Sequence, residues 1–178
     1  MEKEPRPNYE IREATLDDVE SIRRMQAQSW RDTYRNDVIG VTEQWLADET
    51  ASWLTPEALE KSREHFRKIL ASPTDFYRVA LRGSEVVGLL HLATHDDGSK
   101  YLWGLYTAKE THGTGLAQQL MALADEWIGD KAVDLGVASY NERAKAFYRK
   151  NGFHETDKVN DLFRDMIPET TMRREAKL

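Results

Sequence analysis

Leu105-Tyr106-Thr107-Ala108-Lys109-Glu110-Thr111-His112-Gly113-Thr114-Gly115-Leu116-Ala117 links the end of one pattern to the start of another. Residues 101–107 read as a strand. From about Gly115 to Ile128, Leu116, Leu120, Leu123, Ala124 and Trp127 recur on one face of a helix. Two glycines one residue apart therefore sit between a strand end and a helix start. The first turn of a helix has no internal acceptors for its N–H groups. Those donors point outward with the helix dipole behind them, which suits a diphosphate. Missing Cβ atoms at 113 and 115 let phosphate oxygens reach the backbone. Each hydrogen bond to a charged group is worth roughly 1.5–3 kcal/mol, so three or four anchor a cofactor. Two other nucleotide motifs are excluded. There is no Gly-x-x-x-x-Gly-Lys-Ser/Thr, and the glycines follow the fourth strand instead of opening a βαβ unit at the first. Alone, Gly-x-Gly fits an ordinary glycine-rich turn equally well.

Outward from this segment the chain alternates between the two periods. Residues 76–82 and 85–94 are strands joined by Gly83-Ser84, a two-residue hairpin signal. Asp96-Asp97-Gly98-Ser99 turns into strand 101–107, where Gly104 marks a bulge or a close backbone approach. Upstream, residues 9–13 alternate as a first strand. Thr15 or Asp17 caps a helix carrying Val19, Ile22, Met25, Trp30 and Tyr34. Residues 41–54 suggest a short, poorly defined helix. Thr55-Pro56 opens a clearer one, with Leu59, Phe66, Ile69 and Leu70, which Ser72-Pro73 stops. Downstream come a strand at 132–138, a helix at 142–151 closed by Gly152, and a last short strand from Thr171 to Arg174. The order predicts an α/β sheet protein of mixed strand direction. One domain over 1–178 is expected, with residues 1–8 as a flexible N-terminus.

Composition narrows the function. Without cysteine there are no disulfides, thiolate metal sites or cysteine nucleophile. The start, Met1-Glu-Lys-Glu-Pro-Arg-Pro, is charged and proline-broken, unlike a signal peptide. No apolar run approaches bilayer length, so a soluble, cytoplasmic protein without a membrane partner is expected. A net charge of −6 disfavours nucleic acid, whose affinity rests on neutralised phosphates. From Asn36 to Glu60 there are six carboxylates (Asp37, Glu43, Asp48, Glu49, Glu57, Glu60) and no Lys or Arg. They form either solvated helix faces or an electrostatic funnel for a cationic substrate.

Leu105-Tyr106-Thr107 followed by His112-Gly113-Thr114-Gly115-Leu116-Ala117 resembles the acetyl-CoA motif of the GNAT superfamily of N-acetyltransferases, (Arg or Gln)-x-x-Gly-x-(Gly or Ala). A second element, Asn141-Glu-Arg-Ala144-Lys-Ala-Phe147-Tyr148 with Gly152-Phe153, resembles that superfamily's Asn-x-x-Ala-x-x-Phe-Tyr. The resemblance covers roughly residues 9–175. It implies an acyl-CoA N-acyltransferase fold, a mostly antiparallel central sheet of six to seven strands flanked by helices. It implies acetyl transfer from acetyl-CoA to an amine by direct attack in a ternary complex, with no metal. The cofactor-binding residues it implies are Leu105, Tyr106, Thr107, His112, Gly113, Thr114, Gly115, Leu116, Ala117 and Asn141. A backbone N–H near Leu105 or Tyr106 would polarise the thioester carbonyl, and Tyr148 would protonate the departing thiolate. Phe147 is the better core candidate of the aromatic pair.

Two departures stand out. His112 replaces the usual Arg or Gln, which predicts weaker or pH-sensitive phosphate binding, or else an exposed loop histidine of little consequence. The fourth strand lacks the carboxylate that many relatives use as base, leaving His91, His95 or water. The expected acceptor is a small polyamine-like or aminoglycoside-like amine, met by a monomer or homodimer. A protein N-terminus as acceptor, or a catalytically weak acetyl-CoA sensor, are the alternatives.

Overall fold

The computed structural model describes residues 8–177, so the flexible segment expected at 1–8 falls almost wholly outside the described residues. In chain order the elements are β1 (Glu10–Glu13), α1 (Val19–Thr33), α2 (Glu43–Ser52), α3 (Pro56–Ala71), β2 (Asp75–Arg82), β3 (Glu85–Thr94), β4 (Lys100–Thr107), α4 (Leu116–Ile128), β5 (Val133–Ala138), α5 (Glu142–Lys150), β6 (His154–Glu155) and β7 (Glu169–Arg174). One seven-stranded sheet runs β1-β2-β3-β4-β5-β7-β6. Every pair is antiparallel except β4 with β5. This is the mixed, mostly antiparallel sheet expected.

Alternation along the strands divides the core between two faces. Leu90, Leu92, Leu102, Leu135 and Val137 pack beneath α4 and α5, against Leu116, Leu120, Met121, Ala124 and Tyr148. On the other face Tyr77, Val79, Leu81 and Leu89 meet α1 and α3 through Val19, Ile22, Met25 and Phe66. A third group, Trp30, Val41, Leu46, Ala138 and Ile167, joins α1 and α2 to the far half of the sheet.

Three details differ from the sequence reading. Residues 43–52 form a regular ten-residue helix, because the Thr42 hydroxyl accepts from Trp45 N–H and caps it. β6 is an additional strand of only two residues, too short to show a period. β7 starts at Glu169, two residues earlier than the pattern suggested. The bulge expected near Gly104 is present: His91 pairs with Gly104 and Leu92 with Leu102, so Trp103 is the extra residue and stands 55% exposed.

Leu120 lies at 0% exposure between α4 and the sheet. Leu120→Ala should cost about 2–5 kcal/mol, measured by urea unfolding. A loss below about 1 kcal/mol would show that α4 is not packed on this face as described.

Candidate active site

β4 and β5 pair only from Lys100–Val133 to Leu102–Leu135. Beyond that, β4 continues along β3 to Thr107 while β5 follows β7 to Ala138, and the sheet opens into a cleft. The β4 edge facing the gap can be worked out from its register. Ala108 N–H donates to the Val87 carbonyl at 2.8 Å. Donors alternate sides along an antiparallel strand, so Tyr106 N–H also faces β3. Leu105 and Thr107 present their N–H groups to the cleft. Of Leu105 and Tyr106, Leu105 is therefore the one whose N–H faces the gap.

The cleft encloses about 370 Å³. Leu105, Tyr106, Thr107, His112, Ala117, Asn141 and Tyr148 all line it. Gly113, Thr114, Gly115 and Leu116 form the connecting loop between His112 and Ala117. The Leu116 side chain is fully buried in the core, so only its backbone is available to a ligand. Thr114 is likewise occupied: its hydroxyl donates to the Thr111 carbonyl at 2.7 Å and accepts from the Tyr9 phenol at 3.1 Å. Both glycines are left-handed, φ +81 at Gly113 and +91 at Gly115. A Cβ at either would meet no atom within 4 Å, so conformation, more than space, requires glycine here. The first intrahelical bond of α4 runs from Gln119 N–H to the Gly115 carbonyl at 3.0 Å. The N–H groups of Leu116, Ala117 and Gln118 precede it and have no helical acceptor. This loop fits a diphosphate.

On the opposite wall Asn141 caps α5, its Oδ1 accepting from Ala144 N–H at 3.1 Å. Its amide NH₂ remains for a ligand. The depths of the aromatic pair are the reverse of expectation. Tyr148 is buried at 8% exposure within the core cluster, whereas Phe147 is half-buried on the cleft surface. Helical spacing gives the direction of the two rings but not how far the wall extends over each. Burial, reinforced by the neighbouring Tyr106 phenol, holds the Tyr148 phenol well above its ordinary pKa, so it stays protonated.

Burial and the nearby Arg143 guanidinium lower the pKa of His112, with the Thr107 backbone carbonyl acting the other way. Neither candidate base lines the cleft. His91 is bound to Asp75 at 2.7 Å and stacked on Tyr77 on the α3 side, and His95 is exposed in the β3–β4 turn. The acidic funnel is also withdrawn, since none of its six carboxylates lines the cleft. Asp37 and Glu43 pair with Arg35, Glu49 with Arg164, Glu57 with Lys61 and Glu60 with Arg63, and Asp48 accepts from Gln44. Sequence reasoning missed Ser29, Asp32 and Thr33 at the end of α1, Trp103 at the bulge and Gly136 on β5, all of which line the cleft. The bulge signal at Gly104 was the one local clue to Trp103.

Residues 20–153 match the family described as the acetyltransferase (GNAT) family. Over 96 residues, 52% of this chain, the sequence is 38% identical to uncharacterized N-acetyltransferases of Mycobacterium tuberculosis and Mycobacterium bovis, and the match spans 61% of their length. The PaiA N-acetyltransferase of Thermoplasma acidophilum, solved with coenzyme A, superposes at a TM-score of 0.70 over 95% of this chain and 99% of its own, at 22% identity. The ribosomal-protein-alanine N-acetyltransferase of Brucella melitensis gives 0.66 over 93% and 99%, at 20% identity. At these identities the structural likeness establishes the fold.

Two outcomes follow for the loop. Gly113→Val or Gly115→Val should abolish acetyl-CoA binding by calorimetry while the melting curve stays cooperative, because a β-branched residue is driven out of the left-handed region. Unchanged affinity in a folded variant would contradict this. His112, its pKa lowered, is neutral above the ordinary histidine value of about 6.5. Affinity should therefore be flat from pH 7 to 8.5 and rise only as pH falls and the ring gains charge. His112→Arg should tighten binding about tenfold at pH 7.5 through a charge-assisted contact. An equal or weaker affinity would place residue 112 away from the phosphates.

Proposed function

The chain belongs to the acetyltransferase (GNAT) family, and from that premise we propose that it transfers an acetyl group from acetyl-CoA to a primary amine of a small cationic molecule, polyamine-like or aminoglycoside-like, by direct attack in a ternary complex. The observation that carries this reading is the divergence of β4 from β5 after Leu102–Leu135, beside the free N–H groups at the start of α4. The diphosphate would rest on the Gly113–Gln118 backbone, with the pantetheine arm along Leu105–Thr107 and Asn141. Bound there, acetyl-CoA supplies the activated acyl group and a thiolate leaving group.

The residues of the cleft have matching tasks. Leu105 N–H donates to the thioester carbonyl oxygen as it gains charge, and a donor fixed on a strand needs no reorganisation to do so. Tyr148, kept protonated by burial, gives its proton to the departing sulfur. Holding donor and acceptor in one cleft supplies much of the rate by proximity. Trp103 and Tyr34 both line the cleft, and aromatic rings there suit a cation. These rings, and not the acidic helices, support a cationic acceptor.

The test is release of free coenzyme A with a panel of spermidine, kanamycin, simple monoamines and a peptide with a free N-terminus. Spermidine or kanamycin should be preferred; turnover with the peptide alone would replace the small-molecule acceptor by a protein N-terminus. Tyr148→Phe should lower turnover about 100-fold with acetyl-CoA affinity unchanged within about twofold, since a single phenol oxygen is lost. An unchanged turnover number would leave Tyr148 as a core residue only.

A further inference from the structure

Glu169, the first residue of β7, pairs with Ala138 of β5, and its side chain reaches back across the sheet to Gly136. A Cβ added at Gly136 would lie 2.9 Å from Glu169 Oε2 and closer still to Oε1. The carboxylate therefore rests directly on bare glycine backbone, a position that any larger residue at 136 would block. Gly136 lines the cleft and is the first β5 residue beyond the last β4–β5 pair. Glu169 is not itself a lining residue, but its carboxylate lies one glycine behind the wall at the point where the strands part.

The face is equally informative. Leu135 and Val137 point to the α4 side, while Ala138 packs against Trp30, Val41 and Leu46 on the other. Gly136 shares the face of Ala138, so Glu169 approaches from the side opposite the diphosphate loop. On this face the Tyr101 and Trp103 rings pack tilted at 54° with centroids 4.5 Å apart, and Glu169 is near enough to Tyr101 to help raise its phenol to about 12, after burial. Burial also raises Glu169 itself, opposed by Lys158. The other charged groups around Tyr101 are Asp134 of β5, held by Arg173 of β7 at 2.8 Å, and His95, whose ring contacts Tyr101 and Trp103.

We propose that Glu169 is the residue that holds the acceptor's ammonium and takes its proton, standing in for the carboxylate that β4 lacks. This rests on the acetyltransferase reading. The ammonium gives one proton to the carboxylate, and the freed lone pair forms the carbon–nitrogen bond to the acetyl carbon. The carbon–sulfur bond breaks, and the sulfur takes the Tyr148 proton. The second nitrogen proton returns through solvent to Tyr148, and Glu169 releases its own to solvent, so each turnover yields amide, thiol and one proton. A carboxylate near the Tyr101 ring also attracts a cation before reaction.

Two variants test the assignment. Glu169→Gln keeps the shape and removes the charge, whereas Gly136→Ala keeps the carboxylate and displaces it. Both should lower kcat/KM for the amine about 100-fold with the acetyl-CoA KM unchanged. In wild type, kcat/KM should fall as pH drops through the raised carboxyl pKa, and Glu169→Gln should lose that acid limb. Wild-type rates and profile in folded Glu169→Gln would overturn the proposal while leaving the acetyltransferase reading intact. Calorimetry of spermidine and kanamycin against the coenzyme A-saturated chain tests it without turnover. Tenfold weaker binding in Glu169→Gln supports the proposal; equal binding, or no binding of either probe to wild type, overturns it.

Discussion

The site depends on hydrogen bonds that the sheet does not close. Over the length of β4 one edge is satisfied by β3, but its partner on the other side leaves after three residue pairs. Unpaired backbone donors in a partly buried position are costly unless something binds them. The divergence is maintained because β5 is committed along its whole length to β7, and because α5 is tied to α4 from outside. Gln118 Nε2 donates to Asn151 Oδ1 at 3.0 Å, and Asn151 Nδ2 donates to the Phe147 carbonyl at 2.9 Å. The cleft is therefore a feature of the sheet's connectivity.

The same logic operates at the helix ends. α2, α3 and α5 begin with Thr42, Thr55 and Asn141, whose side chains accept from the first turn. α4 begins with Gly115, which has no side chain to do so. α4, which also starts beside the cleft, is thus left with its donors free and its dipole uncompensated. Negative charge placed there would complete this helix as the capping side chains of Thr42, Thr55 and Asn141 complete theirs. Around it, the Tyr9–Thr114–Thr111 bonds hold the loop in shape, which explains why Thr114 supports the site without offering its hydroxyl.

Much of this was legible in the sequence because it is local. The hairpin at Gly83-Ser84, the strand-glycine-helix segment and the Asn141 cap each show within a dozen residues. What was not legible is what arises between distant segments. Tyr148 and Phe147 are neighbours whose depths depend on how α5 sits against β5 and β7. The acidic run at 36–60 reads as one field in sequence, yet folding distributes most of it into pairs with Arg35, Lys61, Arg63 and Arg164. Glu169 carries no local signal, since its meaning comes from a glycine 33 positions earlier that faces it across β5 and β7.

The central claim is that the acyl donor lies in the split between β4 and β5 and is held by backbone, with its carbonyl on Leu105. A crystal structure of the chain with acetyl-CoA tests this most directly. The account predicts diphosphate oxygens on the Gly113–Gln118 N–H groups and the thioester carbonyl oxygen within hydrogen-bonding distance, about 2.7–3.2 Å, of Leu105 N–H. A thioester bound outside the split, or one whose carbonyl faces no β4 donor, would contradict it.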